Sequence, residues 1–189
     1  MRLILASASP RRADLLRAGG YTFETIVTQV DERLQPGETP RQYVRRLAAE
    51  KSAAALARVT GATDELVVLG ADTAVIVDGA VLGKPRDDVD AAAMLRRLSG
   101  RAHEVLTGIS LRDSASEVGR VEPTVVSFTS LSDGEVAAYV SSGEGRDKAG
   151  GYAIQGLASR FVSVIQGSFS NVVGLPMEAL AELLPEFRR

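Results

Sequence analysis

Leu66 to Val77 is the most apolar stretch of the chain, and a single carboxylate, Asp72, interrupts it. The run is too short to span a bilayer. Leu66 to Gly70 therefore reads as a buried strand, with Gly70-Ala71-Asp72-Thr73 at its end. Val75-Ile76-Val77 and Ala80-Val81-Leu82 flank Asp78-Gly79, a strong signal for a tight hairpin. Elsewhere, short apolar runs alternate with capped helical segments. Leu3 to Ala6 reads as another buried strand, followed by a helix that opens at Ser9-Pro10 and stops at Gly19-Gly20. Thr39-Pro40-Arg41-Gln42 is a capping box that opens a helix running to about Arg58. Asp87 to Ser99 reads as a helix, Ser132-Asp133-Gly134-Glu135 caps the next, and Met177 to Leu184 is the last. His103 to Arg112, Thr124 to Thr129 and Phe161 to Ile165 have strand character. Strands and helices that interleave in this way predict an α/β fold with a partly parallel sheet.

With 189 residues, the chain fits one domain of ordinary size, with room for two lobes. It has no Cys and one His, which removes disulfides and thiolate chemistry and argues against a zinc enzyme. A net charge of −2, with acids and bases mixed, gives no case for a nucleic-acid or membrane partner. The first residues are too short an apolar run, and too quickly polar, for a signal peptide. A cytoplasmic protein is expected.

Several residues are out of keeping with their positions. Ser7, Arg11 and Arg12 cluster where a strand delivers the chain to a helix N-terminus. Cations oppose the helix dipole there, whereas a bound anion would suit both. Lys51 falls in the apolar stripe of the second helix, among Tyr43, Val44, Leu47, Ala48, Ala54 and Ala55, so it must snorkel or meet an anion. Asp72, at the end of a buried run, needs a partner, a hydrogen bond or a metal. Asp31-Glu32 lies in a long loop, and Lys84 follows Gly83 in a segment that is not a Walker A loop. Each has a plain structural alternative: a capped surface helix, a snorkelling lysine, a turn aspartate, a solvated acidic pair. His103 reads as a hydrogen-bonded structural residue. Together, four cations and two carboxylates suit a polyphosphate with Mg²⁺, with Glu32 and Asp72 as ligands.

These residues stand in a recognisable order. It runs through Leu5-Ala-Ser-Ala-Ser-Pro-Arg-Arg12, Val30-Asp-Glu32, Leu47-Ala-Ala-Glu-Lys51, Gly70-Ala-Asp-Thr73 and Gly83-Lys-Pro85. It continues through Ser99-Gly100 with His103, Thr107-Gly108, Asp147-Lys-Ala-Gly-Gly-Tyr-Ala-Ile-Gln-Gly156 and Asn171-Val-Val-Gly-Leu-Pro176. Over nearly its whole length the chain resembles the Maf-like, or septum-formation, proteins, which are nucleotide pyrophosphatases. The resemblance implies one domain over residues 1–189, with an elongated mixed sheet flanked by helices and two lobes about a central cleft. That architecture is similar to the inosine triphosphate pyrophosphatases. It also implies a homodimer. Asp72 matches the family's proton acceptor, and Arg12, Thr73 and Gln155 match positions that set base specificity. Ser7, Arg11, Glu32, Lys51 and Lys84 match further functional positions. The segment ending at Gln155 resembles the branch acting on dTTP and UTP. Gly145 departs from the pattern, in which Pro is common.

The reaction this implies is water attack on the α-phosphorus of a nucleoside triphosphate, releasing pyrophosphate. Asp72 would activate the water and share Mg²⁺ or Mn²⁺ with Glu32. Ser7, Arg11, Arg12, Lys51 and Lys84 would hold the triphosphate. Gln155 would read the base, because an amide offers both a donor and an acceptor. Tyr152 would supply an apolar wall beside it. The same residues would also serve a phosphohydrolase, a phosphotransferase or a nucleotide-binding regulator.

Overall fold

The computed structural model describes residues 1–59 and 66–187. Its strands form a mixed sheet of seven, in the order β2-β1-β3-β5-β6-β7, with β4 paired to β3. These are β1 (Arg2–Ala6), β2 (Phe23–Thr25), β3 (Leu66–Val77), β4 (Ala80–Leu82), β5 (Ala102–Arg112), β6 (Glu117–Phe128) and β7 (Val162–Gln166). The helices are α1 (Pro10–Ala18), α2 (Pro40–Leu56), α3 (Asp88–Leu98), α4 (Asp133–Ser142), α5 (Phe169–Val173) and α6 (Met177–Leu183). No described helix is long and apolar enough to cross a membrane. The chain divides into two compact units. β3, β5 and β6 each give residues to both units.

The first unit comprises residues 1–72, 107–122 and 174–189. Here β1 is parallel to β2 on one side and to β3 on the other, with Leu3 opposite Phe23 and Ala6 opposite Gly70. Successive strand side chains face opposite ways, and that alternation divides the core. Leu3, Leu5, Val67, Leu69 and Ala71 pack with Ala13 and Leu16 of α1 and with Ala179, Leu180 and Leu183 of α6. Ile4, Ala6, Leu66 and Val68 face the other way, with Ala55 of α2. α2 begins as the sequence predicts: the Thr39 hydroxyl accepts from the Gln42 amide while the Gln42 side chain accepts from Thr39. Two glycines let α2 lie close on the sheet. A Cβ on Gly70 would come 2.1 Å from the Ala48 carbonyl oxygen, and one on Gly108 would come 2.3 Å from that of Val44.

The second unit comprises residues 73–106 and 123–173. The β3–β4 hairpin turns at Asp78 and Gly79, both at positive φ, of 53° and 72°. β7 runs antiparallel to the end of β6. α4 carries the second capping box, between Ser132 and Glu135, and packs against α3. The interior is aromatic: Phe128 meets His103, Tyr152 and Phe161 edge-on, and Phe161 meets Tyr139 in the same way.

Three expectations change. β3 does not end at Gly70 but continues as one strand to Val77, so Asp72 lies within it. What ends near Asp72 is its parallel partner β1, whose last paired residue is Ala6, opposite Gly70. Ser9 precedes α1 but makes no side-chain cap; its amide instead donates to the Ser7 hydroxyl at 3.1 Å. β2 was not apparent in the sequence, because three residues carry too little pattern to reveal a strand.

Candidate active site

In the first unit, Lys51 joins two carboxylates. Its position in the apolar stripe of α2 aims it at β3, and the close approach at Gly70 brings the two elements together. Its Nζ lies 2.6 Å from Asp72 Oδ1 and 2.7 Å from Glu32 Oε1. Lys51 and Asp72 are both buried, whereas the Glu32 side chain is half exposed. The anion that the buried lysine requires is thus supplied by the protein itself. Burial is the main influence on Asp72 and raises its carboxyl above the usual range, while Lys51 and Arg12 act in the opposite direction.

Arg12 is buried at the start of α1. Its Nε donates to the Gly174 carbonyl at 2.7 Å, and its Nη1 donates to the Ala71 carbonyl at 2.9 Å and to the Ser7 hydroxyl at 3.1 Å. The guanidinium therefore ties α1 to the backbone beside Asp72, and Ser7 links it to the turn that opens the helix. Arg11 is half-buried on the same first turn.

The acidic pair separates. Arg33 binds Asp31 through its guanidinium and its backbone amide, and these bonds hold the Asp31 carboxyl down at about 2. Glu32 instead turns to Lys51. Its loop is fastened to α2 by residues that sequence reasoning missed. The Tyr43 hydroxyl donates to the Glu32 carbonyl at 2.9 Å. Arg46 donates to the Glu38 carboxylate at 2.6 Å and to the Arg33 carbonyl at 3.1 Å. The available signal was their spacing of three on one helical face.

The remaining candidates, Thr73, Lys84 and Gln155, fall in the second unit. Thr73 follows Asp72 in β3 and is half-buried. Lys84 is exposed, just beyond β4. The Gly150 amide donates to the Gly83 carbonyl at 3.0 Å, linking the Lys84 segment to the glycine-rich stretch that precedes Gln155. Gln155 is exposed in a turn. Tyr152 forms no exposed wall. It is buried, with its hydroxyl 2.8 Å from His103 Nε2, because its ring completes the aromatic interior. His103 has the structural place expected of it.

Helices on both faces of a mixed sheet, with a carboxylate–ammonium cluster beside the end of β1, define an α/β protein of a particular kind. The chain belongs to the Maf-like protein family, whose model matches residues 2–187. It is 52% identical over 185 residues to a dTTP/UTP pyrophosphatase of Escherichia coli strain 536, covering 98% of this chain and 92% of that protein. It is 51% identical, with the same coverage, to the dTTP/UTP pyrophosphatase of Escherichia coli K12. A nucleoside triphosphate pyrophosphatase of Shigella flexneri is also 51% identical, again over 98% of this chain and 92% of that protein. Among solved structures, that of the Staphylococcus aureus Ham1 protein is similar at a TM-score of 0.46 and 18% identity. That match covers 70% of this chain and 73% of the other.

Proposed function

We propose that this protein hydrolyses dTTP and UTP to the monophosphate and pyrophosphate. The observation that carries the chemistry is the convergence of Asp72 and Glu32 on one cation, the Lys51 ammonium. The names borne by the relatives support the choice of substrate.

The same convergence tests the fit of a divalent metal. Two hard oxygen donors already share a cation, which suits an ion that takes one or two carboxylates and completes its shell with substrate phosphates. Among the described residues, no group of three or more His, Cys, Asp or Glu is placed to hold a metal by itself. Asp72 and Glu32 would therefore hold Mg²⁺ or Mn²⁺ together with the nucleotide. When bound, the metal supplies charge neutralisation at the phosphate oxygens.

Asp72 takes the proton of the attacking water, a task favoured by a carboxyl that burial makes more basic. Lys51 balances its charge. Ser7 and Arg11 bind phosphate oxygens at the start of α1, where backbone amides also point outward. Arg12 holds that start in place. Lys84 binds the departing pyrophosphate, and Thr73 and Gln155 select the base. The chain acts as one domain, in the cytoplasm, as a homodimer. The test is a nucleotide panel with separate detection of pyrophosphate and orthophosphate. Pyrophosphate release from dTTP and UTP is expected; orthophosphate release would show that a different bond is cut.

A further inference from the structure

The turn that carries Gln155 is held at both ends by one pair of side chains. The Gly156 amide donates to the Ala153 carbonyl at 3.1 Å, closing a four-residue turn with Ile154 and Gln155 at its centre. Ile154 is buried and Gln155 exposed, so one side chain anchors the turn and the next is presented. Before the turn, the Ala153 amide donates to the Tyr139 hydroxyl oxygen at 3.0 Å. After it, the Leu157 amide donates to Glu144 Oε2 at 2.9 Å. The Tyr139 hydroxyl in turn donates to Glu144 Oε1 at 2.9 Å. A bridge of two side chains therefore spans the turn.

The bridge is itself anchored. Tyr139 is 1% exposed on α4, with its ring edge-on to Phe161 at 5.6 Å. Glu144 follows Gly143, which ends α4 in the left-handed conformation, at φ 71°. The carboxylate also packs tightly against the chain at Gly156. A Cβ there would come 2.3 Å from Glu144 Oε2, so a larger residue would have to push the carboxylate aside.

A side-chain amide discriminates between bases only when it is fixed to within about 0.5 Å. Ile154 anchors the turn at one point only, and the bridge fixes its two ends. We propose that Tyr139 and Glu144 are positioning residues for base selection, holding the turn so that the Gln155 amide meets the base in one orientation. The proposal rests on the reading of Gln155 as the base-selecting residue.

Tyr139→Phe keeps the ring packing and removes the hydroxyl that serves both Ala153 and Glu144. Glu144→Gln keeps the shape but replaces an acceptor. Kinetics are measured for each with dTTP, UTP, CTP and GTP, alongside Gln155→Ala and the Tyr139→Phe/Gln155→Ala double variant. Both bridge variants should lose about tenfold in kcat/KM for dTTP, mainly through KM, the size of one lost hydrogen bond. CTP and GTP should change less than about twofold, since a contact never made is not lost. The double variant should narrow the preference no further than Gln155→Ala alone. Proportional losses on every nucleotide in both bridge variants would make the bridge merely structural and overturn the proposal. An intact preference in both, with Gln155→Ala collapsing it, would overturn the proposal and leave the Gln155 reading standing. An intact preference in Gln155→Ala would overturn the Gln155 reading, and the proposal with it. If Tyr139→Phe does not fold, Glu144→Gln decides alone.

Discussion

Lys51 Nζ lies 2.6 Å from the Asp72 carboxylate, and both side chains are only 11% exposed. A lysine set in an apolar stripe suggests that an apolar replacement would be harmless or better, but this pairing reverses that expectation. Lys51→Met would leave Asp72 buried without its partner and facing Glu32. A broken buried pair is costly, though Glu32 is half exposed and Asp72 can protonate. A loss of about 1–3 kcal/mol at neutral pH is expected. The loss should shrink on acidification, because a protonated Asp72 needs no cation. Urea unfolding at two pH values checks this, and equal losses at both would exclude the charge argument.

Asp72→Asn should fold and lose nearly all turnover. The amide keeps the shape, while the charge and the basicity disappear. Loss of a general base alone costs about 10²–10⁴-fold. Combined with Lys51→Met, it should recover stability relative to Lys51→Met alone, since the unpaired charge is gone. Turnover near that of wild type in a folded Asp72→Asn would end the assignment.

Much of the architecture is legible in the sequence because its signals are local. Both capping boxes form between residues three apart, and the hairpin at Asp78-Gly79 needs only those two residues in a positive-φ turn. Lys51 stands out because a helical stripe is readable within one element. What escapes is pairing across long separations. Nothing local says that Glu32 rather than Asp31 turns to Lys51, or that Arg12 bonds to the carbonyls of Gly174 and Ala71. The continuity of β3 through Asp72 is hidden because a carboxylate normally marks a strand's end. The burial of Tyr152 depends on Phe128 and His103, which are remote in sequence.

Gly70→Ala should be among the most damaging small changes. Its Cβ would meet main-chain atoms, the Ala48 carbonyl at 2.1 Å and the Ser52 amide nitrogen at 2.7 Å, which cannot rotate away. α2 must then lift from β3, carrying Lys51 away from Asp72. Overpacking of this kind costs roughly 3 kcal/mol, and turnover should fall with it. Gly134→Ala is the control: its Cβ meets open space in the first turn of α4, and a slight gain is expected. Thermal unfolding of the two variants checks the contrast, and a Gly70→Ala as stable as wild type would mean that α2 is not seated where the structure puts it.

His103 should make the fold weaken in mild acid. Its Nε2 is 2.8 Å from the Tyr152 hydroxyl, and its buried Nδ1 has no hydrogen-bond partner among the described residues. Protonation would make both ring nitrogens donors, with no acceptor for Nδ1 among the described residues, and place a charge among aromatic rings. Burial accordingly lowers the imidazole to about 4, from an ordinary 6.5. Between those values the unfolded chain binds the proton and the folded chain does not. Stability is therefore complete above about 6.5, declines as pH falls through the window and levels off below about 4. The full effect is on the order of 3 kcal/mol. His103→Gln keeps an amide for Tyr152 and cannot titrate. Urea unfolding of both proteins at pH 7.5 and 4.5 isolates the effect, because the carboxylates are common to the two. The wild type should lose more stability over this range than the variant; equal losses would show that the imidazole takes its proton in the folded protein as readily as in the unfolded chain.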